Sequence, residues 1–287
     1  MYTYIPEAGF QEGAGSLFQR EILARLVAIN DGIPFVRHYQ LCNPAHEGSL
    51  NSRHIAAYVW NNIFSISNEI PLDMYINGIG SNIRNIKFQD AQNTLSNMNP
   101  KQFDSLVSEF RDQFIFHNKD LILDCRMKFS GQHSIGLHLR NYSSGDSQIG
   151  EISLPWEIFS EDYGLPNQNN MFYAHYYSAI CFAIKREHAA FQPEFPLYIY
   201  STGELNDFRY ICNFLSRLGF QPKLHLNRPS YMDFIELISH THMVCAKSSL
   251  SYIAALCSRS LKYARKKGNR FLYTSDTILV EDNIVLQ

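Results

Sequence analysis

The sequence predicts an α/β fold with a parallel, doubly wound sheet. In the second half of the chain, short apolar runs alternate with amphipathic stretches of helical length, which is the pattern of consecutive βα units. Several of these apolar runs end in polar loops rich in serine and threonine. The 287 residues are 45% hydrophobic and 18% charged, so they can bury one large core or two ordinary ones.

The N-terminal region has the pattern of a βαβ unit. A strand is predicted over Tyr2–Ile5, followed by a loop to residue 16. The capping-box pattern of residues 16–19 (Ser-Leu-Phe-Gln) predicts a helix that begins at Leu17 and ends at Gly32. A second strand is predicted over Ile33–Arg37.

The loop before this helix contains Gly13 and Gly15. Glycines at that place let backbone N–H groups approach a ligand at the helix N-terminus, where the helix dipole favours an anion. The same pair of glycines also suits a simple tight turn, and the sequence leaves both interpretations open.

The remainder of the first half predicts helices and a strand but contains no pattern of catalytic residues. A helix is predicted over Leu50–Ile66 and a strand over Met74–Asn77, and residues 78–99 are polar with poor periodicity. Asn99 followed by proline caps a helix that runs through Phe116.

The second half supplies the core of the predicted sheet. Ile135–Leu139 is an apolar run that predicts a buried strand, and a long polar connection over 141–170 leads to a helix over Met171–Ala190. The three following strand and helix pairs are Pro196–Tyr200 with Leu205–Leu218, Pro222–Leu226 with Ser230–His240, and Met243–Ala246 with a helix that opens at Tyr252.

Polar side chains stand at the ends of three of these strands. They are His138 and Arg140, then Ser201 and Thr202, then Ser248, Ser249 and Ser251. The carboxyl ends of parallel strands share one edge of the sheet, where α/β proteins bind their ligands. Hydroxyls, helix N-terminal amides and one guanidinium together suit a diphosphate. The alternative is purely structural, with the serines as helix caps, a core histidine and a solvated arginine.

Composition excludes several other classes of protein. The formal net charge is −2, so no broad basic field is present to bind nucleic acid or an anionic membrane. The six cysteines include no Cys-x-x-Cys pair, which predicts free thiols rather than disulfides or a zinc site. No signal peptide and no long apolar run is present, and together with the thiols this predicts a cytoplasmic protein without a membrane span.

Three segments resemble the superfamily of α1,2-, α1,6- and protein O-fucosyltransferases. Ile135–Arg140 (Ile-Gly-Leu-His-Leu-Arg) is similar to their His-x-Arg motif, and Asp233–Ser251 is similar to their last motif, an acidic helix, a strand and a serine loop. Residues 12–20 resemble their N-terminal glycine loop. Leu250 stands where the family usually has an aromatic residue, and Asn141 where some members have a second arginine.

The resemblance implies a GT-B architecture, with two Rossmann-like domains that face a central cleft. The expected domains are residues 1–130 on the acceptor side and 131–287 on the donor side, with the C-terminal segment able to pack back on the first domain. It also implies inverting, metal-independent transfer of a fucose-like sugar from a nucleotide donor, such as GDP-fucose, to a glycan or protein hydroxyl. No Asp-x-Asp pattern occurs in the sequence, which agrees with that expectation.

The family's residue roles carry over to matching positions. Arg140 matches the arginine that binds the β-phosphate, and the serines of the last motif match groups that bind phosphate or nucleotide. Glu12 is the nearest match to the catalytic base of some members, and Asp146 is a second carboxylate within reach. Three alternatives remain: another donor such as UDP-xylose, a non-catalytic protein of the same fold that binds nucleotide sugars or carbohydrate, or a GT-B-like enzyme such as a sugar-nucleotide epimerase.

Overall fold

The computed structural model describes residues 1–6, 13–38, 50–66, 70–71, 83–129, 133–139, 168–188, 195–266 and 271–281. The helices are α1 (Ala14–Asp31), α2 (Leu50–Ile63), α3 (Phe88–Ser96), α4 (Pro100–His117), α5 (Lys119–Lys128), α6 (Gln168–His188), α7 (Arg209–Arg217), α8 (Ser230–Ser239) and α9 (Ser249–Cys257). The strands are β1 (Tyr2–Thr3), β2 (Val36–Arg37), β3 (Ile70–Pro71), β4 (Arg84–Asn85), β5 (Ile135–His138), β6 (Leu197–Ser201), β7 (Lys223–Leu226), β8 (His242–Cys245), β9 (Leu261–Arg265) and β10 (Thr277–Val280).

Six parallel strands form the main sheet, in the order β10-β9-β8-β5-β6-β7. Numbered by chain position, this is the 3-2-1-4-5-6 order of a dinucleotide-binding fold read from its other end. The strand order reverses between β5 and β8, which pair in parallel with Ile135 opposite His242. The predicted parallel α/β sheet is therefore confirmed, and its topological switch point lies between these two strands.

Strand β5 presents a different chemistry to each face of the sheet. Ile135 and Leu137 join the apolar cluster that also contains residues of α6 and α7. Gly136 and His138 alternate with them and face the side of α8 and α9. A Cβ at position 136 would lie 2.4 Å from the ring of His240, so glycine is required for this imidazole to pack against the strand.

The N-terminal half contains four short parallel strands. Strand β1 pairs with β4, and β2 pairs with β3. One isolated bridge between Tyr2 and Phe35 joins the two pairs. These strands are separate from the six-stranded sheet in the described residues. The domain boundary near residue 130 stays a prediction.

An aromatic cluster joins the N-terminal helices to the main sheet. The ring of Phe64 in this cluster lies 4.7 Å from that of Phe18 on α1 and 5.7 Å from that of Phe234 on α8. Trp60 of α2 packs 5.0 Å from the same Phe234 ring. All four side chains are fully buried. The apolar face of α1 is thus buried against helices that belong to the second half of the chain.

Local signals predicted several boundaries correctly. The Asn99 side chain accepts a hydrogen bond from the backbone N–H of Gln102, as the predicted cap requires. Gly32 ends α1 in the left-handed conformation at φ 64°, which glycine adopts without a steric cost. The strands β5 to β8 lie within one residue of their predicted bounds, and helix α6 lies within three. The strand predicted over Met74–Asn77 lies outside the described residues.

One helix start was predicted wrongly, and one helix was not predicted. Helix α1 begins at Ala14 rather than Leu17, with Gly13 as its N-cap residue, and Ser16 does not cap it. The segment 78–99, which is polar with poor periodicity and for which no helix was predicted, contains α3, which buries Ala91 and Leu95. A single short apolar face was too weak a periodic signal to reveal that helix. Among the described helices, none is long and apolar enough to cross a membrane.

Candidate functional site

The carboxyl edge of the main sheet brings together the loops that follow β5 and β8. The Nδ1 atom of His138, at the end of β5, lies 2.6 Å from Oγ of Ser251 and 3.2 Å from Oγ of Ser248. All three side chains are buried. The two strands on either side of the switch point are therefore linked by hydrogen bonds between side chains that are more than 100 residues apart in sequence.

The serine loop after β8 folds into the first turn of α9. Ser248 is the N-cap residue, and its hydroxyl accepts a hydrogen bond from the backbone N–H of Ser251 at 3.1 Å. The hydroxyl of Ser251 accepts another from the N–H of Ala246 at 3.1 Å. Two of the predicted phosphate-binding serines thus hold the loop in shape. Any role in ligand binding would come in addition to this structural one.

The N-terminus of α1 lies directly against the N-terminus of α9. Oγ of Ser16 is 3.3 Å from Oγ of Ser249, across 233 residues of sequence. A Cβ at Gly15 would lie 2.7 Å from the backbone nitrogen of Leu250, a distance that real contacts do not reach. Gly15 therefore permits the two helix ends to approach. Their first-turn N–H groups lack partners within the helix, and both dipoles favour an anion at this place.

The loop after β6 is attached to the same edge. The hydroxyl of Ser201 donates to the carbonyl oxygen of Leu139 at 2.7 Å, which ties the ends of β5 and β6 together. Thr202 follows and is partly exposed. The backbone N–H of Gly203 donates to the side chain of Asn227 at 2.9 Å, so the loops after β6 and β7 are also joined.

An ion-paired network borders this edge beyond β7. Arg228 bonds to Asp233 at 3.0 Å and to Glu236 at 2.9 Å, and His225 lies 3.1 Å from Glu236. Burial acts to raise the pKa of Glu236, but the hydrogen bonds from His225 and Arg228 outweigh it and lower the pKa to about 2. A carboxylate of such low basicity is a poor general base, so the acidic helix of the last motif is a structural element here.

The predicted site residues fall into two groups, those outside and those within the described part of the chain. Arg140, Glu12 and Asp146 lie outside the described residues. Of the others, His138, Ser248 and Ser251 are in direct contact, and Gly15 and Ser249 lie at the adjoining helix ends. Gly13 immediately precedes α1. Ser16 was not predicted as a member of this group, because its spacing to residue 19 suggested a capping box.

A separate cavity of about 310 Å³ lies at the opposite, amino-terminal edge of the sheet. Ser134, Thr241 and Ser260, which line it, precede β5, β8 and β9 respectively. Their hydroxyls are already bonded to His240 or to backbone carbonyls of the cavity wall. The convergent helix N-termini and the switch point are at the other edge, which makes that edge the candidate ligand site.

Comparisons with protein-family models, with curated proteins and with solved structures find no match to this chain. The function must therefore be inferred from the geometry of the carboxyl edge together with the sequence motifs.

Replacement of Gly15 by alanine is expected to destabilise the protein by about 1–3 kcal/mol, because the new methyl group meets backbone atoms of α9 that cannot move aside. Urea unfolding of the variant measures this. Ser16→Ala is the control at the neighbouring position, with an expected loss of about 1 kcal/mol or less. Stabilisation by Gly15→Ala, which helix propensity alone would give, would contradict the close approach.

Replacement of Glu236 by glutamine is expected to lower the free energy of unfolding at neutral pH. It should also make that free energy less dependent on pH in the acidic range. The folded pKa of about 2 lies below the unfolded value. The charged form therefore adds about 3 kcal/mol above roughly pH 5, and this contribution is lost as the pH falls toward about 2.

Unfolding free energies measured across that pH range test the expectation. The control is Glu281→Gln, which removes an exposed partner of Lys266 and should leave the slope unchanged. Equal slopes for wild type and Glu236→Gln would mean that the network does not stabilise the carboxylate.

Proposed function

We propose that this chain is an inverting glycosyltransferase that uses a nucleoside-diphosphate sugar, with GDP-fucose as the favoured donor. The acceptor would be a hydroxyl group of a glycan or a protein. The observation that carries the proposal is the meeting of two helix N-termini at the switch point of the parallel sheet, beside His138, Ser248 and Ser251.

This arrangement suits a diphosphate for electrostatic reasons. Both helix dipoles present their positive ends at this place, and the first-turn N–H groups that the Ser248 cap leaves unbonded can donate to an anion. Gly15 adds no side chain between these ends, so the two helix N-termini lie close enough to act on one anion together. Arg140 follows β5 by two residues and would complete the site with a bidentate contact to phosphate.

The proposed chemistry is a single displacement at the anomeric carbon. The acceptor oxygen attacks this carbon as the bond to the β-phosphate oxygen breaks, and the nucleoside diphosphate leaves with the bonding electrons. Helix amides and Arg140 would stabilise the growing negative charge on the leaving group. A carboxylate on the opposite face, Glu12 or Asp146, would take the proton from the acceptor hydroxyl.

The proposed architecture is of the GT-B type, with the six-stranded sheet as the donor side. The parallel strands β1 to β4 and helix α1 would belong to the acceptor side, which also contributes Glu12 and the glycine loop. The proximity of α1 to α9 supports this, because it places the start of the first half beside the proposed donor site.

A nucleotide that occupies the site is expected to stabilise the folded chain. At 100 times its dissociation constant, a ligand adds about 2.7 kcal/mol of apparent stability. A thermal-shift panel of GDP, UDP, GDP-fucose and UDP-xylose measures this, with guanosine as the control that lacks phosphate. No shift with any diphosphate would contradict the proposal, and binding without sugar transfer would indicate a non-catalytic binding protein.

Substitution of Arg140 is expected to lower turnover more than donor affinity. Loss of one donor to developing negative charge typically reduces the rate by about 10²–10³, and Arg140→Lys should restore only part, since lysine lacks the planar fork. Glu12→Gln and Asp146→Asn are a matched pair that identifies the base. Wild-type sugar transfer by Arg140→Ala and both carboxylate variants would refute the proposed active site.

A further inference from the structure

Three histidines converge at the amino-terminal edge of the main sheet. His133 precedes β5, His188 is the last residue of α6, and His242 is the first residue of β8. One ring nitrogen from each lies within 4.8 Å of the other two. In the part of the chain that the structure describes, this is the one group of three or more histidine, cysteine or acidic side chains with metal-ligand spacing.

The three imidazoles contact each other directly. The rings of His133 and His188 are 4.5 Å apart, those of His188 and His242 are 4.9 Å apart, and the third pair is 5.8 Å apart. His242 is buried, His188 is half-buried and His133 is exposed. The cluster therefore has a fixed inner member and an outer side that is open to an ion from solvent.

The buried ring of His242 has a hydroxyl partner that orients it. The hydroxyl of Thr241 donates its one proton to the carbonyl oxygen of Ser134 at 3.0 Å. It also lies 3.0 Å from Nδ1 of His242. With the hydroxyl proton directed to Ser134, this contact takes a proton on Nδ1 and leaves the lone pair of Nε2 for a ligand. Metal-binding histidines are commonly oriented by such a bond on the nitrogen that does not bind the metal.

We propose that His133, His188 and His242 bind one divalent transition-metal ion, of which Zn²⁺ is the best suited. Imidazole nitrogen is a favoured ligand of such ions. Tetrahedral coordination at about 2.0–2.1 Å places ligand nitrogens roughly 3.4 Å apart, so the cluster must contract by at most about 1.4 Å.

Two features bear on this contraction. Neither His133 nor His188 is hydrogen-bonded to another described side chain, and their rings are held by packing on each other and on Phe195. His188 also lies at the C-terminus of α6, where the helix dipole favours a cation. Water would occupy the fourth position.

The ion would act at a distance from the proposed nucleotide site. Strand β5 separates them, because His133 precedes it and His138 ends it, a span of about 16 Å in an extended chain. The metal would cross-link β5, α6 and β8. It would take no part in sugar transfer, and its binding does not depend on whether the proposed transferase activity is correct.

Metal titration of the full-length chain, free of any histidine tag and stripped with a chelator, tests the proposal. Isothermal titration with Zn²⁺ should give one ion per chain, and Co²⁺ should produce the visible absorption of a tetrahedral site. His133→Ala and His188→Ala should each weaken Zn²⁺ binding by about 100-fold or more, beyond the 10- to 100-fold typical of outer-shell changes. Both positions are at least partly accessible, so the variants should fold.

His54→Ala is the matched control, because His54 is an exposed histidine on α2 outside the cluster. The Zn²⁺ affinity of this variant should equal that of the wild type. Circular dichroism of all variants verifies that they are folded. Absence of stoichiometric Zn²⁺ binding by the wild type would overturn the proposal. Equal affinities for the wild type, His133→Ala and His188→Ala would overturn it as well, and would mean that the three rings only pack together.

Discussion

The close approach of α1 to α9 is the contact on which the candidate site depends. It requires a residue without a side chain at position 15, because the backbone of Leu250 occupies the space that a Cβ would need. The hydroxyls of Ser16 and Ser249 meet beside it. As a result, two helix N-termini from opposite halves of the chain present their positive ends to one place, next to the switch point of the sheet.

Strand β5, which leads to this place, combines apolar packing on one face of the sheet with a close contact and a polar group on the other. Alternate residues of β5 serve the two faces of the sheet: Ile135 and Leu137 fill one apolar core, while Gly136 admits the ring of His240 on the other side. His138 at the end of the strand is a buried polar residue, and its Nδ1 is hydrogen-bonded by the hydroxyls of Ser248 and Ser251. Packing and polar satisfaction together account for the Gly-x-His pattern of this segment.

Sequence reasoning succeeded where local signals decide the structure. Periodicity and end signals located β5 to β8, and the parallel order followed from the alternation of strands and helices. The contact of Ser16 with Ser249 could not be foreseen, because a local capping pattern gave no sign of a partner 233 residues away. The cluster of His133, His188 and His242 was missed for the same reason: its members are more than 50 residues apart, and only the tertiary fold assembles them.

The aromatic cluster that unites the two halves has a consequence for how the chain folds during synthesis. Phe234 completes the cluster by packing on Trp60 and Phe64, and it is synthesised 170 residues after Phe64. Synthesis adds about 5–20 residues per second, so the apolar surface of the early helices stays exposed for roughly 10–35 s. The cluster therefore closes only through a late, non-local contact, and until then its apolar rings are exposed, which favours aggregation of the nascent chain.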